Sequence, residues 1–537
     1  MDTTEKSFLL IFPYRFNFLN KYSWFFLSLF SALLLILSFP SPGYSFLAWV
    51  AVVPLIVIVM TESFKKIILS SLITGVVFNI VYLIWIKDYK HPASLPGSVF
   101  TEMMFFSFSV LLSWFLYRNL KLKRMKFLRE FVFAAGWLTI DYMKTIGYLA
   151  FPWGILGYSQ YENLILIQTA SIFGVWGITF IIIYCNTTLA SAIIEYITTK
   201  KLKSNLINVC IIVLLCAFSI SFGILKILEE KHKEYRSIRT ALIQANFDPW
   251  SPKLDENISK EISLTQQALK LNPDLIVWSE SSVPFPYEYY LKRGNKHALR
   301  VHNFIGSVKK PFVFGSIEFD GEYENGKFHG DFYNVAIFYN KGKLQEVYRK
   351  IHLVPFGEWF PFDKIFPFVA RILENAGAGD FTPGEDYVIF DAEKFKFSVL
   401  ICFEDVFGNL IRKFIPEKTE LFINVTNDAW TGSEKAAVQH FSISIFRTIE
   451  NRRSLIRAAN GGVTAYINPY GRVIDSLELF TSDYLVCDVL LGEKDEVTFY
   501  SRYGDFFPWL ILILVCTLII FIFTKKVIDR MKKLNNM

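Results

Sequence analysis

Cysteine is sparse and scattered in this chain, with six residues at Cys185, Cys210, Cys216, Cys402, Cys487 and Cys516, four of them inside apolar runs. No Cys-x-x-Cys pair and no Cys/His ligand spacing occurs, so neither a zinc site nor a disulfide framework is expected. A repeat of solenoid period and low-complexity tracts are also missing, which argues against a stacked array. The first apolar run lacks an A-x-A-like cleavage site and six more runs follow before residue 230, so it reads as a retained membrane segment. The net charge of +7 does not gather on one face; most of the excess flanks apolar segments, which speaks for membrane topology and against nucleic-acid binding.

Apolar sequence is what the chain has in abundance. Of 537 residues 53% are hydrophobic, and the mean hydropathy is +0.34, too apolar for an ordinary soluble chain and long enough for more than one domain. The aromatic share of 17%, led by 54 phenylalanines, suits lipid-facing helices and interfacial belts. Apolar segments lie at 22–39, 46–60, 67–86, 99–117, 131–146, 164–194 and 207–228, and an eighth at 506–523. Most approach the roughly 20 residues that cross a bilayer; the second and fifth are short, and the sixth is long enough to tilt. Eight transmembrane helices are therefore expected.

Loop charge orients them. Lys6, Arg15 and Lys21 precede the first segment, Lys65 and Lys66 follow the second, and Arg118, Lys121, Lys123, Arg124, Lys126 and Arg129 follow the fourth. Lys200, Lys201 and Lys203 follow the sixth, and Lys525, Lys526, Arg530, Lys532 and Lys533 end the chain; the alternate connections hold little beyond Lys87 and Lys90. The positive-inside rule puts both termini in the cytoplasm. With seven spans ahead of it, the hydrophilic region 229–503 then falls on the outer side. The expected organisation is a membrane domain at 1–228, an outer domain at 229–503, and a last span with a basic tail at 504–537.

Two outer loops stand apart. Residues 148–161, YLAFPWGILGYSQY, are a Gly/Pro-punctuated aromatic stretch that suits an interfacial anchor or the lining of a lateral opening. The irregular stretch 360–386 is a candidate lid. Asn79, Glu102 and Asp141 are polar groups in or near spans, suited to interhelical hydrogen bonds or a substrate path.

Within the outer region short apolar runs at 240–244, 274–279, 311–317, 333–338, 397–401, 421–425, 463–467 and 484–489 read as strands, and 256–271, 297–309 and 435–453 as helices. Such alternation predicts one layered α/β domain with the sheets inside. Three chemistry-bearing residues sit at ends of these runs. Glu280 follows the strand pattern of DLIVWSESSVPFP, Lys350 ends a Val/Tyr run in VYRKIHLVPFGEWFP, and Cys402 stands where the strand 397–401 turns toward an expected helix from Glu404 onward. A carboxylate base, an ammonium and a thiol make a nucleophilic site that needs no metal. Glu280 would deprotonate Cys402, the start of a helix would favour the thiolate, and Lys350 with the Phe403 N–H would stabilise an oxyanion. Glu358 and Glu404 would hold Lys350 and shape the field around the base.

Glu280, Lys350 and Cys402, in this order and with these flanks, resemble the Glu-Lys-Cys triad of the nitrilase, or carbon–nitrogen hydrolase, superfamily. The longer stretches YRKIHLVPFGEWFP, ICFED, NVTNDAWTG and RAANGGVTAYINPYGRV, together with FPWGILGYSQ in the membrane part, resemble the apolipoprotein N-acyltransferase family over nearly the whole chain. The resemblance implies an αββα sandwich on an eight-span membrane domain in a bacterial inner membrane, its catalytic domain periplasmic and no cofactor or metal required. It implies that an acyl chain passes from a phospholipid, typically phosphatidylethanolamine, to Cys402 as a thioester. The chain would then pass to the α-amino group of the diacylglyceryl-cysteine at an apolipoprotein's N-terminus. Glu358, Glu404 and Asn334 match supporting positions, and Trp153 and Tyr158 fall on the substrate-access stretch. Phe403 stands where some members have tyrosine; the family's tryptophan near the start of the domain aligns with Leu254, and nearby Trp250 is unassigned. The rival expectations are a membrane-tethered amidase of the same superfamily and a transporter or sensor with a ligand-binding outer domain.

Overall fold

The computed structural model describes residues 17–89, 94–120, 128–147, 149–200, 202, 205–251, 253–324, 327–360 and 380–535. The chain divides into two compact units. One comprises the described residues of Met1–Ile84, Pro92–Ile224 and Asp505–Met537, and the other those of Trp85–His91 and Leu225–Gly504.

The first unit is helical. Among the described residues five helices are long and apolar enough to cross a membrane, at Phe64–Tyr82, Ser94–Asn119, Ala170–Thr199, Leu206–His232 and Phe506–Leu534, with shorter apolar helical stretches at Tyr22–Ser38 and Ser45–Thr61. Two expected continuous spans are broken. The segment 46–60 forms a 3-10 turn, Ser45–Trp49, followed by a helix, Val53–Thr61; Pro54, at the start of that helix, has no N–H to continue a ladder from the turn. The backbone groups freed at the break are met by Asn186, whose Oδ1 accepts from Val52 N at 3.0 Å and whose Nδ2 donates to Ala48 O at 2.9 Å, the satisfaction an apolar surrounding demands. The segment 164–194 forms a one-turn helix, Leu164–Ile167, and a long one, Ala170–Thr199, interrupted at Gly174, whose φ of 62° only glycine adopts readily. The segment 131–146 is the helix Leu128–Met143.

The polar groups singled out in the spans all have partners. Asn79 Nδ2 donates to Gly75 O at 2.9 Å, and Asp141 Oδ2 accepts from Trp137 Nε1 at 3.1 Å. Glu102 Oε2 accepts from Lys144 Nζ at 3.0 Å, and Lys144 also donates to Trp153 O at 2.6 Å.

Among the described residues the second unit is an α/β sandwich of thirteen strands: β1 Ser237–Gln244, β2 Leu275–Trp278, β3 Val283–Pro286, β4 Phe312–Glu324, β5 Lys327–Asn340, β6 Lys343–Arg349, β7 Phe390–Asp391, β8 Lys396–Ile401, β9 Leu421–Asn427, β10 Ser454–Asn460, β11 Ala465–Ile467, β12 Val473–Ser476 and β13 Asp483–Leu490. One sheet runs β13-β1-β2-β4-β5-β6, with β3 joined to β4, and the other β12-β11-β10-β9-β8-β7. β1, β2 and β4 are parallel neighbours, as are β8, β9 and β10. These parallel strands are the continuous apolar runs seen in the sequence, because both of their faces are covered. Ile258, Ala268, Val301 and Ile305, from the helices Leu254–Leu269 and Lys296–Val308, close a core on Ile243, Ile276, Trp278, Phe312 and Phe314 of the first sheet. On the opposite face Phe338 of β5 meets the rings of Phe390 and Phe397, 5.3 and 5.1 Å away in the second sheet.

β10 is the main strand that periodicity missed. Its centre carries Arg457, fully buried, and a charged residue in mid-run hides the strand pattern. Two of the three expected site residues follow these parallel strands, Glu280 after β2 and Cys402 after β8, whereas Lys350 follows the antiparallel β6.

Candidate active site

Cys402 ends β8. The strand passes directly into a 3-10 turn, Cys402–Val406, and then a short helix, Gly408–Ile411, in place of the continuous helix expected from Glu404. Cys402 itself has φ 51°, a left-handed conformation that costs a non-glycine residue energy and turns its side chain out of the strand line. Two bonds hold this bend: Asn424 Nδ2 donates to Cys402 O at 3.0 Å, and Glu404 Oε2 accepts from Ile401 N at 2.7 Å. Cys402 keeps some accessible surface. Burial among protein and then the Glu280 charge push its thiol well above the ordinary value, and Lys350 and Thr426 offset this only in part. The expectation that a helix start would favour the thiolate is thus corrected: one 3-10 turn has too small a dipole to outweigh burial beside a carboxylate.

Glu280 lies just past β2 and is 4% exposed. Asn334 Nδ2 donates to its Oε1 at 2.9 Å, and Lys350 Nζ stands 3.6 Å from the same oxygen. The other oxygen, Oε2, has no hydrogen-bond partner among the described residues, although Cys402 is near enough to act on the carboxyl. Burial raises the carboxyl above its ordinary value, Lys350 works against that, and Glu358 adds to it. A carboxylate with one committed and one open oxygen beside a thiol is built to take a proton.

Lys350 is 1% exposed. Its Nζ donates to Glu358 Oε1 at 2.8 Å. Burial opposes the ammonium, but Glu358, Glu280 and Cys402 together hold it charged, above the ordinary lysine value. Asn334 ties the two glutamates, donating to Glu358 Oε1 at 2.8 Å as well as to Glu280. Glu358 Oε2 accepts from Val354 N at 2.8 Å, which closes the loop after Lys350 into a cup.

Glu404 joins that loop to the cysteine bend. Its Oε1 accepts from Tyr348 Oη at 2.9 Å, Ile351 N at 2.7 Å and His352 N at 3.1 Å, while Oε2 takes Ile401 N. Burial nonetheless pushes its carboxyl up to about 7. Phe403 is buried, its ring centroid 5.0 Å from that of Phe407 and 6.0 Å from that of His352. Of the expected lid, residues 361–379 lie outside the described residues. The segment after them is pinned by Phe381 N to Glu358 O, 2.9 Å, and Gly384 N to Lys350 O, 2.7 Å.

The residues expected on the access stretch belong to the first unit. Trp153 and Tyr158 are 3% and 4% exposed there, Trp153 stacked on Phe151 with centroids 4.7 Å apart; Tyr148 lies outside the described residues. Trp250 donates through Nε1 to Trp430 O at 3.0 Å and packs edge-on against that ring, which ties the start of the domain to the loop after β9.

Sequence reasoning passed over two groups. The connection after the helix Phe64–Tyr82 belongs to the second unit: Trp85 Nε1 donates to Gln439 Oε1 at 2.9 Å. Tyr89, four residues on, has its phenol raised by burial and then by the charges of Cys402, Asp428, Glu280 and Glu358, so it stands beside the site. Reading 67–86 as one apolar span concealed this, because Trp85 and Ile86 look like span residues. The second group, around His440, is described below. Among the described residues no set of three His, Cys, Asp or Glu side chains could hold a metal ion.

Comparison with known proteins places the chain in a family. Residues 31–188 match the family model of the apolipoprotein N-acyltransferase N-terminal domain, and residues 239–497 that of the carbon-nitrogen hydrolases. The chain is 33% identical to an apolipoprotein N-acyltransferase of Geobacter metallireducens over 490 residues, 89% of this chain and 91% of that protein. It is 30% identical to apolipoprotein N-acyltransferase 1 of Treponema denticola, over 95% of this chain and 99% of that protein. Among solved structures Saccharomyces cerevisiae Nit3, a member of branch 10 of the nitrilase superfamily, aligns at 17% identity over 48% of this chain and 90% of that one, with a TM-score of 0.36.

Proposed function

Because the chain belongs to the apolipoprotein N-acyltransferase family, we propose that it moves an acyl chain from a phospholipid to the N-terminal diacylglyceryl-cysteine of an apolipoprotein, by way of a thioester on Cys402. The observation that carries the reading is the Cys402 thiol in reach of the Glu280 carboxyl, whose Oε2 has no hydrogen-bond partner among the described residues, with Lys350 Nζ 3.6 Å from its Oε1.

In the first half-reaction Glu280 takes the thiol proton and the sulfur attacks the ester carbonyl carbon of the donor. The tetrahedral oxyanion is met by the Lys350 ammonium and the Phe403 N–H; one such donor is typically worth roughly 3 to 4 kcal/mol. The ester C–O bond breaks, the leaving alkoxide takes the proton from Glu280, and the lysophospholipid departs. In the second half-reaction Glu280 accepts a proton from the attacking α-amine, the amide C–N bond forms, and the thiolate leaves and is reprotonated. The two steps alternate, a ping-pong sequence. Asn334 bonds both Glu280 and Glu358 while Lys350 bonds Glu358, and the Lys350–Glu280 ion pair stands at 3.6 Å, longer than a hydrogen bond.

Phosphatidylethanolamine is the donor we assign. The chain spans the bacterial inner membrane eight times with the second unit on the periplasmic side. There both substrates keep their acyl chains in the outer leaflet, since withdrawal would expose methylenes at about 0.8 kcal/mol each. Shielding of the thioester from water separates transfer from hydrolysis. An amidase of the same superfamily would instead turn over small amides and leave no fatty chain on the sulfur.

The test is intact mass of the purified protein after incubation with phosphatidylethanolamine alone. Wild type is expected to gain the mass of one acyl chain, and Cys402→Ser none. A folded wild type that gains nothing, or a Cys402→Ser protein that still acquires a stable chain, overturns the reading.

A further inference from the structure

His440 sits in the helix Glu434–Asn451, 6% exposed, with a carboxylate at each ring nitrogen. Its Nε2 is 2.7 Å from Asp405 Oδ1, and its Nδ1 is 3.0 Å from Asp428 Oδ1. A carboxylate oxygen only accepts, so both contacts are hydrogen bonds only when both nitrogens carry protons. Arg457, fully buried in β10, reaches the remaining oxygens of the same two acids: one guanidinium nitrogen bonds Asp405 Oδ2, and the other stands 3.3 Å from Asp428 Oδ2. Two acids thus face two cations, and the quartet is neutral while His440 is an imidazolium.

The quartet adjoins the sulfur from two directions. Asp405 belongs to the 3-10 turn that starts at Cys402. Asp428 follows β9, and the Thr426 hydroxyl that donates to its Oδ1 at 3.3 Å is also in reach of the Cys402 sulfur. The Asp428 charge itself opposes the Cys402 thiolate. The arrangement has no slack, since a Cβ on Gly462 would come within 2.1 Å of Asp428 Oδ2.

We propose that His440 is a positioning residue of the reaction: as an imidazolium it joins Arg457 in neutralising the Asp405–Asp428 pair behind Cys402, so that this pair adds no uncompensated negative charge against thiolate formation. The proposal rests on Cys402 being the nucleophile. Among the described residues, charged groups that face the ring are Asp405 from the turn, Asp428 from the loop after β9 and Arg457 from β10, whose Nη2 stands 3.5 Å from Nδ1. Burial disfavours the imidazolium, but the two carboxylates more than offset burial and Arg457, and hold the ring's pKa at about 9. The neutral quartet therefore persists through physiological pH. Above the histidine's pKa the proton leaves, the quartet carries one negative charge, and the sulfur gives up its own proton less readily.

Site-resolved alkylation tests this without any acyl transfer. The full-length protein in detergent is treated with iodoacetamide across about pH 6 to 10, and modification of the Cys402 peptide is followed by mass spectrometry. His440→Gln leaves the quartet negative at every pH, and alkylation at neutral pH is expected to slow roughly tenfold. Adding Asp428→Asn to that variant makes the quartet neutral again, with alkylation expected to return to within about threefold of wild type. An unchanged rate in His440→Gln overturns the proposal, and so does a slowed rate that the second substitution fails to recover. Should His440→Gln not fold, the double variant decides alone: a rate far below wild type counts against the idea. Absence of an acyl adduct on wild-type Cys402 would strike the proposed function and leave this comparison standing.

Discussion

At Gly315, in β4, a Cβ would come within 2.6 Å of Glu280 Cα and 2.8 Å of the Ser281 nitrogen. The strand lies against the Glu280 backbone only because the side chain is missing. Gly315→Ala is expected to push Glu280 off its alignment with Cys402, lowering thioester formation by at least about tenfold and stability by roughly 1 to 3 kcal/mol; acyl-adduct kinetics and thermal unfolding read the two. Glu261 is a different case. It is fully buried in the helix Leu254–Leu269, neither carboxyl oxygen has a hydrogen-bond partner among the described residues, and burial pushes its carboxyl well above the ordinary 4.5. The folded state therefore binds this proton more tightly than the unfolded chain, so the group's contribution to stability is largest below the ordinary carboxyl value and declines as pH rises above it. Glu261→Met is expected to raise the unfolding temperature, and by a margin that widens from pH 5 to pH 8; a margin that stays flat would mean the carboxyl is not the cause. Glu280, Lys350 and Cys402 were legible because each is a polar residue at the end of an apolar run. His440 was not, since one histidine in an amphipathic helix carries no pattern and its two acids come from other strands.

Among the elements, the α/β alternation was readable because parallel strands covered on both faces are continuous apolar runs. β10 escaped for the opposite reason: its Arg457 is tolerated only by Asp405 and Asp428, which arrive from elsewhere in the chain. Helix continuity was misread wherever one residue decided it, at Pro54 and Gly174, and at Cys402, where a single left-handed residue ends the strand. The connection after Phe64–Tyr82 is the element with the clearest consequence. Trp85 anchors it through the bond to Gln439, next to His440, and holds Tyr89 by the site. Trp85→Phe keeps the ring and removes the donor, a change worth about 1 to 2 kcal/mol of docking. Faster hydrogen exchange at residues 85–89 is the expected result, with the exchange of the sheets unchanged; protection equal to wild type would mean that packing alone holds the segment.

For the whole molecule, the proposed topology has a direct check. Lys343 lies exposed at the start of β6 and Lys532 near the end of the last helix. With Lys343→Cys, a membrane-impermeant maleimide is expected to label intact spheroplasts; with Lys532→Cys it should label only after permeabilisation, and the reverse pattern would invert the orientation. Amino-acid order alone determined that the chain is a membrane protein with one α/β unit, since hydropathy, loop charge and strand periodicity are local properties that every segment carries with it. It also marked the strand-end glutamate, lysine and cysteine. Tertiary structure decided the state of those residues: a thiol made less acidic by burial, a carboxyl with one oxygen that has no hydrogen-bond partner among the described residues, and an ammonium kept charged by two glutamates. Proton affinities depend on which distant charges the fold brings within a few ångströms, and no stretch of sequence contains that distance.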